Sequence, residues 1–160
     1  LKEIKIKYHD KNLEKLKMIE KGNWIDLRAS SVKYEPTPGY WVERPLYNNP
    51  FYYPECTTMM INLGVSIDLG EYEAHVVPRS STFKNYHLIQ TNSIGIIDSS
   101  YNGDDDIWYF PCYAIRGGVL HHNDRICQFR LFDVMDFISI EEVKYLNNLN
   151  RGGFGSTGVK

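Results

Sequence analysis

Five short groups of residues in this chain have types and spacings that could do chemistry. Asp98 ends a short apolar run and is followed by Tyr101, Asn102 and Gly103. Asn-Gly between two strand-like segments predicts a tight hairpin, because both residues tolerate positive φ. An acid and an aromatic ring near such a tip make either a binding loop or a solvated turn with a packing tyrosine. Arg79-Ser80-Ser81-Thr82 precedes a predicted short helix over Phe83 to Tyr86. Free amides, hydroxyls and a guanidinium at a helix start suit a phosphate, although such residues also serve simply as caps. Asp26 lies inside the apolar run Trp24 to Ala29. An unpaired carboxylate there is costly, so it is either an Asp-Arg pair that holds the fold or an acid facing a polyanion through a metal or an arginine. Gln128 alternates with Cys127 and Phe129, so its amide is offered on the opposite face. Last, Arg151-Gly152-Gly153-Phe154-Gly155-Ser156-Thr157-Gly158 crowds four glycines around one aromatic. That is either a disordered terminus or a backbone able to approach phosphate closely.

The elements that must position these groups are short and β-rich. Ile4 to Tyr8 alternates with lysines outward. Met59, Ile61, Leu63, Val65, Ile67 and Leu69 alternate without interruption, with Gly64 a candidate bulge. Glu71 to Val77, Leu88 to Asp98, Trp108 to Ile115 and Leu131 to Ile140 read as further strands, and Leu13 to Glu20 as a short helical turn. Short strands between turn signals indicate an all-β sandwich or barrel-like domain. Residues 33–57 are dense in proline and aromatic residues, which predicts a long surface loop whose rings pack on the body or form a binding surface. His121-His122-Asn123-Asp124 predicts a turn with Asn123 left-handed. The two adjacent histidines point to opposite faces and do not share one ion easily.

Composition narrows the class. The chain has 160 residues, 42% hydrophobic and 24% charged, enough for one compact domain, read as 1–150 with a Gly-rich arm at 151–160. A net charge of -2 implies no general attraction to nucleic acid or an acidic membrane. Three cysteines without CxxC spacing argue against a disulfide framework or zinc site and for a reducing compartment. No apolar stretch reaches the roughly 18 residues of a membrane span, and no signal peptide is visible.

The motifs around Asp26, Arg79-Ser80-Ser81, Gly95 to Gly103, Asp124 to Gln128 and Gly153 to Gly158 resemble, in order, the five motifs of the trimeric dUTPases. The runs Glu73 to Ser81 and Asp124 to Phe129 look most like phage- and prophage-borne members from Bacillus-type hosts. The resemblance implies a jelly-roll-like all-β subunit in a homotrimer with sites shared between chains. It implies hydrolysis of dUTP to dUMP and pyrophosphate in a bacterial cytoplasm. Asp98 would orient and deprotonate the attacking water, Gln128 would hold it, and Arg79, Ser80 and Ser81 would grip the phosphates. Asn92 and the backbone near Ile96, Ile97 and Asp106 would read uracil, and Tyr101 would pack under the deoxyribose. Arg151, Phe154, Gly155, Ser156 and Thr157 would close over the substrate as a mobile arm. Mg2+ would ride mainly on the triphosphate with no direct protein ligand, Asp26 reaching it through water or orienting Arg79. This sequence departs from the family at His87, at Asn102 and in the short spacing after Arg151. Two rivals remain: a regulatory protein that engages a host or phage partner through 33–57, and a dCTP deaminase, which Asp98 and Tyr101 oppose.

Overall fold

The computed structural model describes residues 3–153 and 158. It contains thirteen strands and one short helix among those residues. In chain order the strands are β1 (Lys5–Tyr8), β2 (Ile25–Arg28), β3 (Ser31–Thr37), β4 (Tyr40–Pro45), β5 (Phe51–Tyr53), β6 (Thr58–Asn62), β7 (Val65–Asp68) and β8 (Tyr72–Pro78). After α1 (Thr82–Tyr86) come β9 (Leu88–Gln90), β10 (Gly95–Ile97), β11 (Tyr109–Ala114), β12 (Gly118–Leu120) and β13 (Arg125–Asp133). A four-stranded sheet has the order β10-β8-β13-β2 and a five-stranded sheet the order β4-β3-β6-β11-β9. Two small sheets, β1-β7 and β12-β5, complete the open framework. All pairings are antiparallel. The core between the sheets holds Leu27, Val32, Met59, Ile61, Leu63, Val76, Trp108, Phe110 and Phe129, and the Trp108 and Phe129 rings meet edge to face at 5.3 Å.

Several sequence expectations need correction. The alternation from Met59 to Leu69 is not one strand. Gly64, at φ +66, turns the chain from β6 in one sheet to β7 in another. Alternation survives the corner, so all six apolar residues remain buried. A Cβ on Gly64 would lie 2.9 Å from the Ser30 Cβ. Gly64→Ala is therefore expected to cost about 2–4 kcal/mol from left-handed strain and overpacking together. A urea titration should show this as a lower midpoint at unchanged slope.

Residues 33–57 are not a loop but contain the β3–β4 hairpin and β5. The prolines fall where no ladder donor is needed. Pro36 lies in the irregular register between Tyr34 and Thr37, Pro38-Gly39 makes the turn, and Pro45 ends an edge strand. Its aromatic residues divide. Tyr34, Phe51 and Tyr53 pack together, with ring centroids 4.7 and 6.2 Å apart, while Tyr40, Trp41, Tyr47 and Tyr52 stay exposed.

The predicted turn of helix at Leu13 to Glu20 does not form. Glu14 N donates to Asn123 Oδ1 and Leu16 N to the Tyr8 hydroxyl, so these backbone donors are committed elsewhere. Asn123 is left-handed as expected, at φ 67. Leu88 to Asp98 is interrupted after Gln90, where Ser93 takes φ 60, and resumes as β10. The Asn102-Gly103 hairpin is absent: β10 pairs with β8, whereas β11 pairs with β6 and β9. β13 ends at Asp133 rather than continuing to Ile140, and residues 134–149 form no strand.

Candidate active site

The four-stranded sheet positions the first group of side chains. Asp26 on β2 and Gln128 on β13 are direct cross-strand partners, and Gln128 faces Val77 of β8 on its other side. Leu27, Cys127 and Phe129 point into the core, so Asp26 and Gln128 share the outer face. Arg125 joins them through a register shift between Arg125 and Cys127. An unbroken strand would put residues three apart on opposite faces, whereas here Ile126 and Cys127 are both buried and Arg125 reaches outward.

Asp26 is held between two guanidiniums. Arg79 Nε lies 3.0 Å from its Oδ1 and Arg125 Nη1 3.3 Å from its Oδ2. Arg79 Nη1 also donates to the Arg125 carbonyl at 3.3 Å. Gln128 Nε2 donates to the Pro78 carbonyl at 3.2 Å, which fixes the amide plane. One carboxylate under two guanidiniums leaves the cluster with a net positive charge on an accessible face.

The turn after β8 is locked by Thr82, which the sequence offered with Ser80 and Ser81 as a cap residue. Thr82 is fully buried, its hydroxyl accepting from Arg79 N at 2.8 Å and donating to the Ile126 carbonyl at 2.7 Å. Ser81, at the N-cap position of α1, makes no side-chain cap bond, so its hydroxyl is not spent on capping the helix. His87 ends the helix in the left-handed region at φ 54, the conformation glycine most often supplies at a helix C-terminus.

The second group lies at the end of β10. Asp98 is exposed, and its Oδ1 accepts from Ser100 Oγ at 2.6 Å and Ser100 N at 2.8 Å. The Ser100 hydroxyl, and then its amide, hold the Asp98 carboxyl below the usual carboxylate range. Tyr101 N donates to the Asp98 carbonyl at 3.0 Å and the Tyr101 hydroxyl to the Ile107 carbonyl at 3.1 Å. Asp106 closes its own turn, Oδ2 accepting from Gly103 N at 2.7 Å and its N donating to the Gly103 carbonyl at 3.1 Å. Asn92 is exposed in the turn before β10, and Ile96 is exposed while Ile97 is half-buried. β10 is an edge strand, so its outer backbone groups have no ladder partner among the described residues.

The two groups are not brought together within one chain. Ile97 pairs with Ala74, which pairs with Leu131, three residues along β13 from Gln128. Strand spacing and rise then place Asp98 roughly 15 Å from Gln128. Arg151 is exposed in the segment after β13, and Phe154, Gly155, Ser156 and Thr157 lie outside the described residues. Among the described residues no group of three or more His, Cys, Asp and Glu side chains is placed to hold a metal. His121 and His122 have separate partners, Asp124 and Asp10. No helix among the described residues is long and apolar enough to cross a membrane.

Comparison with known proteins is consistent across family, sequence and structure. A family model described as dUTPase matches residues 47–158. The SPbeta prophage-derived deoxyuridine 5'-triphosphate nucleotidohydrolase YosS of Bacillus subtilis (strain 168) is 45% identical over 159 residues, covering 99% of each chain. The corresponding enzyme of Escherichia phage T5 is 33% identical over 109 residues, 64% of this chain and 70% of that one. The fold is similar to that of the Staphylococcus bacteriophage 80alpha dUTPase G164S mutant with dUpNHpp. Its TM-score is 0.71 at 13% identity, over 99% of this chain and 100% of that one.

Proposed function

The chain belongs to the dUTPase family, and from that premise we propose that it hydrolyses dUTP to dUMP and pyrophosphate at a site shared between copies. The observation that carries the site assignment is the outward cluster of Asp26, Arg79, Arg125 and Gln128. Its charge suits a polyanion, and Arg79 presents a planar fork to phosphate oxygens. Ser80 and Ser81 add hydroxyls beside it. Gln128, with its plane fixed by Pro78, has a further N–H and a carbonyl oxygen with which to hold a water.

Asp98 supplies the base. Its ionised carboxylate takes a proton from the water as the water oxygen bonds to the α-phosphorus. The bond between the α-phosphorus and its bridging oxygen breaks, and pyrophosphate leaves. Asp98 and Gln128 are too far apart in one chain to meet at one water, so Asp98 of one copy serves the phosphate cluster of another. A homotrimer, as in the resembling family, supplies that arrangement. The free edge of β10 around Ile96 and Ile97, with Asn92, pairs with the uracil edge and leaves no room for a 5-methyl group. Tyr101 packs under the deoxyribose. The Asp106 amide is committed to Gly103, so this residue acts by shaping the base loop. Arg151 and the residues Phe154 to Thr157 form the closing arm, with 1–150 as the body.

Mg2+ suits this donor set only as a companion of the substrate. Both Asp26 oxygens face guanidiniums, so a bound Mg2+ would be held mainly by the substrate's phosphate oxygens, and Asp26 would reach it only through water. When bound it neutralises phosphate charge. A second reading, a regulatory partner, has one observation in its favour: Tyr40, Trp41 and Tyr52 stand exposed on or beside the β3–β4 hairpin. That hairpin belongs to the other large sheet, so the two roles are compatible.

The direct test is pyrophosphate release from dUTP beside UTP, dTTP and dCTP. Selective release from dUTP is expected. Ammonia release from dCTP would replace hydrolysis with deamination as the reaction.

A further inference from the structure

Gln90 breaks the pattern of the strand that carries it. Along β9, Leu88 is buried, Ile89 is exposed and Gln90 is buried again, so Gln90 takes a core position with only 6% of its surface exposed. Its cross-strand partner, Cys112, is fully buried. An apolar side chain would fill this place without a polar cost. Gln90 Nε2 donates to the Val76 carbonyl at 3.0 Å, whereas Oε1 is buried without a hydrogen-bond partner among the described residues. An amide satisfied at one end only adds little to stability, since the orphaned acceptor offsets what the bonded donor gains. Its worth lies in what the one bond holds.

That bond joins the two large sheets. β9 is an edge of the five-stranded sheet, and β8 lies inside the four-stranded one. The chain crosses between them over residues 91–94, the turn that carries Asn92, and enters β10 at Gly95. Gly95 is the ladder partner of Val76, the residue whose carbonyl Gln90 holds. The contact is close: a Cβ on Gly95 would lie 3.3 Å from Gln90 Nε2 and 3.2 Å from the Val76 Cβ. The crossing is thus tied at both ends, by Thr91 N to the Pro111 carbonyl at 3.1 Å and by the Gln90 amide beside Gly95. Within it, Ile94 N donates to the Asn92 carbonyl at 2.6 Å. The far end of β10 is held separately, by the pairing of Ile97 with Ala74.

We propose that Gln90 is a positioning residue for base selection: its amide fixes the foot of β10 and the Asn92 turn where they meet the uracil edge. The inference rests on the assignment of β10 and Asn92 to the base. A backbone that excludes a 5-methyl group does so only while it is held in place, and as an edge strand β10 has one ladder neighbour, β8, to hold it. Gln90 supplies a second support from the core side. Asp98 lies beyond Ile97, at the end that Gln90 does not hold, so the effect falls on nucleotide binding and not on the chemical step.

The test measures dUTP hydrolysis with dTTP as the competing nucleotide, together with thermal unfolding, for the intact chain, Gln90→Met and Gly95→Ala. Gln90→Met nearly keeps the length and volume of the side chain and removes both amide atoms. It should raise KM for dUTP about tenfold with kcat within about twofold, the pattern of lost binding rather than lost chemistry. The ratio of the dTTP inhibition constant to KM for dUTP should narrow about tenfold, the scale on which a pocket reads one methyl group. The unfolding midpoint should not fall, because the orphaned oxygen goes with the bond. Gly95→Ala displaces β10 directly and should narrow the same ratio with Gln90 intact. If Gly95→Ala narrows it and Gln90→Met does not, or if Gln90→Met lowers kcat and the midpoint together at an unchanged ratio, the role of Gln90 is overturned. A ratio that moves in neither variant would instead overturn the assignment of β10 to the base.

Discussion

Asp98→Asn is expected to slow dUTP hydrolysis by about 10²- to 10⁴-fold, the range a positioned general base contributes. Asn keeps the size and the acceptor that Ser100 uses but cannot take a proton. KM should move little, because Asp98 acts on water rather than on the nucleotide. A pH profile separates this role from a structural one. The Ser100 hydroxyl and amide hold the Asp98 carboxyl below its ordinary range. The active form is the ionised one, so activity falls only as pH drops through that lowered value. Ser100→Ala removes the larger of the two causes, which raises the Asp98 pKa. The acidic limb of kcat/KM should then shift to higher pH while the plateau is largely kept. An acidic limb that does not move with Ser100 would assign the titration to another group. Mixing Asp98→Asn chains with Gln128→Ala chains tests the sharing of sites. Mixed oligomers should regain activity that neither variant has alone, because some sites then combine an intact Asp98 with an intact Gln128.

Gln128 was legible in the sequence because strand parity fixes its face, and the same parity accounts for the face of Asp26, read there only as an acid inside an apolar run. Leu27, Cys127 and Phe129 are apolar neighbours that must point inward, so the polar residues between them must point out. Parity fails for Arg125, three residues before Gln128, and only the irregular register on β13 returns it to the same side. The two buried residues between them, Ile126 and Cys127, are the signal that could have shown this. The misread hairpin has a similar cause. Asn102-Gly103 is a strong local turn signal, but Asp98 and Asp106 each fold their carboxylate onto a nearby amide. These short-range turns compete with cross-strand pairing, and three consecutive aspartates before Ile107 offer little to a strand. Proline density misled for residues 33–57 because the rule concerns donors rather than composition. Placed at an irregular step, a turn and the end of an edge strand, the prolines remove no ladder bond.

Arg79→Gln and Asp26→Asn should each lower kcat/KM by about 10²- to 10³-fold, the scale of removing one preorganised donor at a developing negative charge. Their combination should cost little more than either alone. The reason lies in the geometry. Arg79 contributes through a fixed orientation, and that orientation comes from Asp26 at 3.0 Å and the Arg125 carbonyl at 3.3 Å. Without the carboxylate, Arg79 and Arg125 face each other as like charges and separate. The donor is then still present but no longer aimed. Asp26 is thus a positioning residue, and the double-mutant cycle should show a large coupling between it and Arg79. A purely structural role predicts a different pattern. The two losses would then track thermal stability and would be shared by Arg125→Gln, which removes a guanidinium from the same carboxylate but leaves the Arg79 pair intact. Arg79→Lys adds a further check, since a lysine keeps the charge but not the planar fork. It should recover only part of the activity with Asp26 present and none of the coupling, because a single ammonium cannot hold the carboxylate and a phosphate oxygen in one fixed plane.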